Sequence, residues 1–217
     1  KNGMPFYFKD LRDGTYIFFR AYLEGLIENV VPSWTPTNYI GRSSPVYNYE
    51  RAERDIGFTL KLAANTKQEY YAIWEKLNKL TSLCYPAYVK DDRLSQAAQT
   101  NPTVKAMDVN RMKPPLCRLR VGEMYGVTNK ELLGFIETIN YTIDQTSTWE
   151  SDEGYRAPKF IMVTLAFRVI HDEVPSLKNS ADTDYSFYGV HENIIKDKKN
   201  LGIAPEEDSE DPVFSKV

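Results

Sequence analysis

The sequence predicts an α+β, β-rich fold, a β-barrel or sandwich with one flanking helix at about 66–83 and extended loops. Three observations carry this reading. Ile56, Phe58, Leu60 and Leu62 alternate with Asp55, Gly57, Thr59 and Lys61, and Ile161, Val163, Leu165, Phe167 and Val169 alternate in the same way. That period of two marks strands with one buried face. A single strong helical stripe, Tyr70, Ile73, Trp74, Leu77 and Leu80, recurs at spacings of three and four. The rest of the chain is short apolar runs separated by long polar connections, which fits one β-rich domain covered by a helix.

Each element follows from its residues. Phe6 and Phe8 share one face of a short strand, Asp13-Gly14 makes a turn, and a second strand runs from Tyr16 to Ala21, with Leu23, Leu26 and Ile27 packing after it. Residues 31–45 carry three prolines and a glycine and read as a loop. Val46–Arg51 and Asp55–Ala64 read as a strand pair with a charged connection. Asn65 or Thr66 caps the helix and Pro86 ends it. Residues 87–113 are polar and read as a peripheral loop. Cys117, Leu119 and Val121 face inward, with Arg118 and Arg120 outward. Leu133, Phe135, Ile139, Tyr141 and Ile143 form one face of the next strand, interrupted by Glu137. A polar connection at 146–158 precedes the last strand. The domain reading is a β domain at 1–176 and an extended polar C-terminal arm at 177–217. No internal repeat is visible.

Composition narrows the function classes. The 217 residues carry a net charge of -3, which implies no general attraction to nucleic acid. Tyrosine outnumbers phenylalanine fifteen to ten, which suits half-wet interfaces as well as ordinary strands. Cys84 and Cys117 have no metal-ligand spacing and read as buried free thiols of a reducing compartment. No apolar stretch is long enough to span a bilayer and no signal peptide is visible, so no membrane partner is expected. The first residue is Lys1, as expected of a processed or partial product.

Reactive constellations are missing from the sequence. His171 and His191 have no sequence partner that suggests a triad or metal site. No phosphate-binding glycine loop, nucleophile elbow or zinc-protease helix motif occurs. The acidic runs at 151–153 and 206–211 read as solvated loops. No enzyme, cofactor or metal is expected. Arg42, Arg51, Arg54, Arg118 and Arg120 stand out as a group. They read either as solvated charge on the free side of a sheet or as inter-subunit contacts to carboxylates.

The stretches "WTPTNYIGRSSPVYNYERAERDIGFTLKLAA" and "EYYAIWEKLNKLTSLCYPAY", followed by "MKPPLCRLRVGEMYG", "LLGFIETINYTID", "TWE" and "APKFIMVTLAFRVIHDEVPS", resemble the tube-initiator proteins of contractile-tailed bacteriophage baseplates. The resemblance runs from about Phe6 to Ser176. It implies a tail-tube-like fold and a homo-hexameric ring whose strands line a continuous channel, placed between the baseplate hub and the tail-tube protein. Such a ring templates tube polymerisation, contacts the end of the tape-measure protein and lets DNA pass only through its lumen. It belongs to the virion, and to the host cytoplasm during assembly.

Under that resemblance Thr59, Lys61, Thr138, Asn140, Thr142 and Thr164 face the lumen; otherwise they meet solvent on the outside of a monomer. No segment resembling the peptidoglycan-binding module of some relatives is present. Two alternatives stay open: the tail-tube subunit itself, or a carbohydrate-binding or hydrolase module that uses Trp34 and Trp149.

Overall fold

The structure, a computed structural model, describes residues 3–90, 110–127, 130–144, 147–178 and 185–200. Nine strands and two helices occur among them. They are β1 (Phe6–Asp10), β2 (Tyr16–Phe18), β3 (Tyr22–Thr37), β4 (Val46–Ala63), α1 (Lys67–Ser82), β5 (Ala87–Lys90), β6 (Asn110–Lys113), β7 (Cys117–Val121), β8 (Leu132–Thr142), β9 (Phe160–Val169) and α2 (Gly189–Asn200). Seven strands form one antiparallel sheet in the order β2-β1-β7-β8-β9-β4-β3, and β5 pairs with β6 apart from it. No helix among the described residues is long and apolar enough to cross a membrane.

The two strongest alternations form the centre of the sheet. Ile56, Phe58, Leu60 and Leu62 on β4 and Ile161, Val163, Leu165 and Phe167 on β9 are all buried. The sheet curls, so that Phe6 and Phe8 of β1 reach Phe58 of β4 across three intervening strands, with ring centroids 5.7 and 6.3 Å apart. α1 lays Leu77 and Leu80 on the same core. The Thr66 side chain caps it by accepting the Glu69 N–H at 3.2 Å, and the helix ends at Leu83, three residues before Pro86.

Several expectations are corrected. The sheet is not closed into a barrel, because β2 and β3 end it without pairing to each other. The second strand stops at Phe18. Residues 31–37 belong to β3, and only 38–45 connect it to β4. Pro32 and Pro36 are tolerated because β3 is an edge strand, where a missing N–H costs no ladder bond on the open side. Val46–Arg51 and Asp55–Ala64 are one continuous strand rather than two. The ends of the expected 87–113 loop pair as β5 and β6, while 91–109 lies outside the described residues.

On β8 the inward residues are Gly134 and Ile136, and Leu133 and Phe135 lie on the opposite face. An irregularity between Ile136 and Thr138 leaves Glu137 unpaired and resets the phase, so that Ile139 packs against the core after it. Gly134 is required there: a Cβ would meet the Arg168 carbonyl oxygen at 2.1 Å and the Phe167 ring at 2.7 Å.

The extended arm expected over 177–217 is corrected for 185–200, and with it the single-helix reading. This segment folds back onto the body and ends in α2. Arg54, buried beneath it, donates to the Phe187 carbonyl at 3.3 Å, and Gly189 N–H donates to the Met124 carbonyl at 3.2 Å. Residues 201–217 lie outside the described residues.

Candidate functional site: a polar sheet face with two open edges

Half of the large sheet, β8-β9-β4-β3, presents a face opposite the core. Strand register alone assembles its rows. Asn140 lies beside Thr164, Thr164 beside Thr59, and Thr59 beside Glu24. The next row runs Thr142, Met162, Lys61 and Tyr22, and the row on the other side runs Thr138, Ala166, Gly57 and Ile27. All six residues proposed as lumen-facing therefore share one contiguous surface of four strands. Thr59 and Thr164 hydroxyls are 3.1 Å apart, and Lys61 Nζ lies 2.7 Å from Glu24 Oε2.

Towards the β3–β4 hairpin the face becomes charged. Arg168 reaches Glu53 at 2.8 Å, Asp55 at 2.9 Å and Glu137 at 3.1 Å. The contact between Arg168 Nε and Asp55 Oδ1 lacks hydrogen-bond alignment, so it is an ion pair rather than a directed bond. The bulge at Glu137 lets its carboxylate reach the same guanidinium. Glu53 is held below the usual carboxylate range, first by the hydrogen bond from Arg51 and then by the charge of Arg168.

Both flanks of this half-sheet are open. Among the described residues β3 pairs only with β4, and no strand meets the other edge of Tyr22–Thr37. β7 pairs with β8 only at Leu132–Gly134, so among the described residues no strand meets Phe135–Thr142 on that side. Unpaired N–H and C=O groups along a strand are a template for another strand.

The five arginines do not form one site. Arg42 is exposed in the 38–45 connection and donates to Ser44 Oγ at 3.3 Å. Arg51 is exposed on β4 and pairs with Glu53 at 2.7 Å. Arg118 and Arg120 lie on the outward side of β7, as expected, but with partners in their own chain. Arg118 donates to the Glu131 carbonyl at 2.9 Å and pairs with Asp172 at 3.0 Å; Arg120 donates to the Gly122 carbonyl at 3.1 Å.

Arg54 corrects the inter-subunit reading outright. It is 4% exposed, pairs with Glu28 at 2.6 Å, and lies under the rings of Tyr125, Tyr188 and Phe187. Its place was legible: it is in phase with Ile56 and Phe58, on the buried side of β4.

The remaining chemistry is dispersed. Trp34 lies on β3 and Trp149 in the connection before β9, while Trp74 packs against the core. His191 Nδ1 is 3.0 Å from Ser186 Oγ, and His171 packs edge-on against Phe187. A cleft of about 450 Å³ between α2 and the start of β8 is lined by charges of both signs, including Arg118, Lys130, Asp172 and Glu192. Several of these pair with one another: Arg118 with Asp172, and Lys130 with Glu192 at 3.5 Å. No group of three or more potential metal ligands occurs among the described residues. No known family model matches the chain, and no curated protein matches it significantly.

Proposed function

We propose that this chain is a structural subunit that assembles, head to tail, into a hexameric ring with the β8-β9-β4-β3 face lining a water-filled channel. One observation carries the reading: a four-stranded half-sheet has a polar outward face and, among the described residues, an open strand edge on each flank. Direction supports it as well. Strands alternate from β8 to β3, so a neighbour's β8 placed beside β3 continues the antiparallel order. That continuity needs an even number of strands per copy. A head-to-tail contact of this kind closes into a ring when its rotation closes, and closure removes both edges.

Within the resemblance to baseplate tube initiators, the ring stands between hub and tail-tube protein, starts tube polymerisation, and meets the tape-measure protein at its lumen. DNA passes through without a dedicated site. The chain contributes backbone pairing and a wet surface rather than a reactive group. α2 and the β5–β6 ribbon add bulk to the body, which favours a ring made once over a subunit stacked in many identical layers. The test is the mass of the purified full chain by light scattering, with particle images, alone and with its baseplate partners. A six-fold ring is expected; a chain that stays monomeric in both settings contradicts the reading.

A further inference from the structure

Beyond Asp55, where β4 leaves β9, residues 30–37 and 46–54 pair as strands only with each other among the described residues. They continue the sheet as a two-stranded hairpin, and a lone ribbon of that kind is marginal in water. Its root on the core side is the pair Glu28 and Arg54, with Arg54 Nε 2.6 Å from Glu28 Oε1. What closes over this pair is not the sheet but two other segments. From the turn after β7, the Tyr125 hydroxyl donates to Glu28 Oε2 at 2.7 Å. From 185–189, the Phe187 carbonyl accepts from both terminal nitrogens of Arg54 at 3.3 Å. The rings of Tyr188 and Phe187 lie 5.3 and 6.0 Å from the guanidinium carbon.

Gly189 seats the start of α2 on that same turn. Its N–H donates to the Met124 carbonyl at 3.2 Å, and a Cβ there would meet the Glu123 carbonyl oxygen at 2.6 Å. The segment is otherwise lightly attached. Among the described side chains of 185–200 none is fully buried, and Phe187, Tyr188, Val190, Ile194 and Ile195 are 36 to 47% exposed. Segments with few buried apolar contacts open before the body does. On the polar side of the sheet Arg168 ties Glu53 of the hairpin to β9 at 2.8 Å, but both side chains are about a third exposed, and such a pair contributes little.

We infer that residues 185–200 are a strap that aims the hairpin. Closed, the strap holds the hairpin root through Arg54. Open, the hairpin swings about Asp55 while the sheet stays folded. The coupling is reciprocal: a partner that grips the hairpin in its strapped direction also stabilises the strap, and one that re-aims the hairpin opens it. The inference rests on the single chain and does not need the ring.

The test places spin labels on Ser43→Cys, in the exposed 38–45 connection, and Glu75→Cys, on the exposed side of α1, in a full chain carrying Cys84→Ala. Cys117 is buried and stays unlabelled. Labelled protein is diluted in unlabelled chain, so that distances within one copy are read. A single narrow 43–75 distance is expected. Gly189→Val, which touches the strap and not the hairpin, and Arg54→Met should both speed proteolysis within 185–200 at least about tenfold and broaden that distance. The amides of β4 and β9 in Gly189→Val should stay as slow to exchange as in the unmodified chain. An unchanged distance once the strap is cut faster, an unchanged cutting rate in both variants, or a distance already broad with the strap closed overturns the inference. Loss of β4 and β9 protection together with the strap in Gly189→Val overturns it as well, since the strap is then not a separate unit.

Discussion

Thr59 of β4 and Thr164 of β9 face each other directly across the strand pair, their hydroxyl oxygens 3.1 Å apart on the side opposite the core. A water-facing pair of this kind stabilises the sheet only modestly, since each hydroxyl exchanges a bond to water for a bond to its partner. Thr164→Val is therefore expected to change unfolding free energy by less than about 1 kcal/mol in urea titration, and to leave the assembled mass unchanged. A loss of several kcal/mol would mean that the face is buried against something in the isolated chain.

Arg54 fastens the C-terminal segment to the body. Arg54→Met keeps the apolar stem but strands Glu28 beside two tyrosines and removes the donor to Phe187. A loss of about 3–5 kcal/mol is expected, the usual consequence of breaking a buried pair from one side. Limited proteolysis of the variant should cut within 185–200 faster than in the unmodified chain; an unchanged cleavage rate would show that Arg54 does not hold that segment.

Acid should weaken the fold in two stages. Burial, and secondarily the charge of Arg54, lowers the His171 pKa below 6.5, so the unfolded chain binds that proton more readily. Stability from this group is present above 6.5 and is lost as pH falls towards the folded value.

Glu28 follows at lower pH. Burial pushes its pKa up, but hydrogen bonds from Tyr125 and Arg54 and the charge of Arg54 outweigh it, leaving the pKa below 4.5. Its contribution is present above 4.5 and is lost as pH falls through the depressed value. Urea midpoints between pH 7 and 3 should fall in the unmodified chain, with the upper stage missing in His171→Phe. An upper stage that persists in that variant contradicts the assignment.

Gly134 stands where β8 crosses the Arg168 carbonyl and the Phe167 ring. Gly134→Ala has nowhere to place its methyl without moving backbone, and a destabilisation of at least about 2 kcal/mol is expected from overpacking, read as a lower melting temperature. An unchanged melting temperature would contradict the close approach.

The parts of the fold legible in the sequence are those with strong two-faced contrast. Residues 55–63 and 161–169 sit mid-sheet with water on one side and the core on the other, so alternation is clean; α1 has one apolar stripe. The first half of the hairpin was hidden because Pro32 and Pro36 read as loop residues, although Ser33, Thr35 and Thr37 keep a period of two beside Trp34. The phase of β8 was hidden by one bulged residue, Glu137. α2 was hidden because its apolar residues, Val190, Ile194 and Ile195, are few among charges, and it depends on Arg54 and Met124, distant in sequence.

Of the candidate surface, alternation put Thr59 and Lys61 on the side of β4 away from the core, while the lumen-facing role of all six polar positions came from the resemblance. The open edges were legible in neither, because an edge is a property of which strands fail to meet.

Hydrogen exchange of the backbone amides tests the central claim most directly. In the single chain, the outward-pointing amides of Tyr22–Asn29 and Phe135–Thr142 should exchange at rates near those of free strand edges. In the assembled protein both sets should become protected together, with the central strands β4 and β9 little changed. Protection of both edges already in the isolated monomer, or fast exchange at both in the assembled protein, would contradict the account.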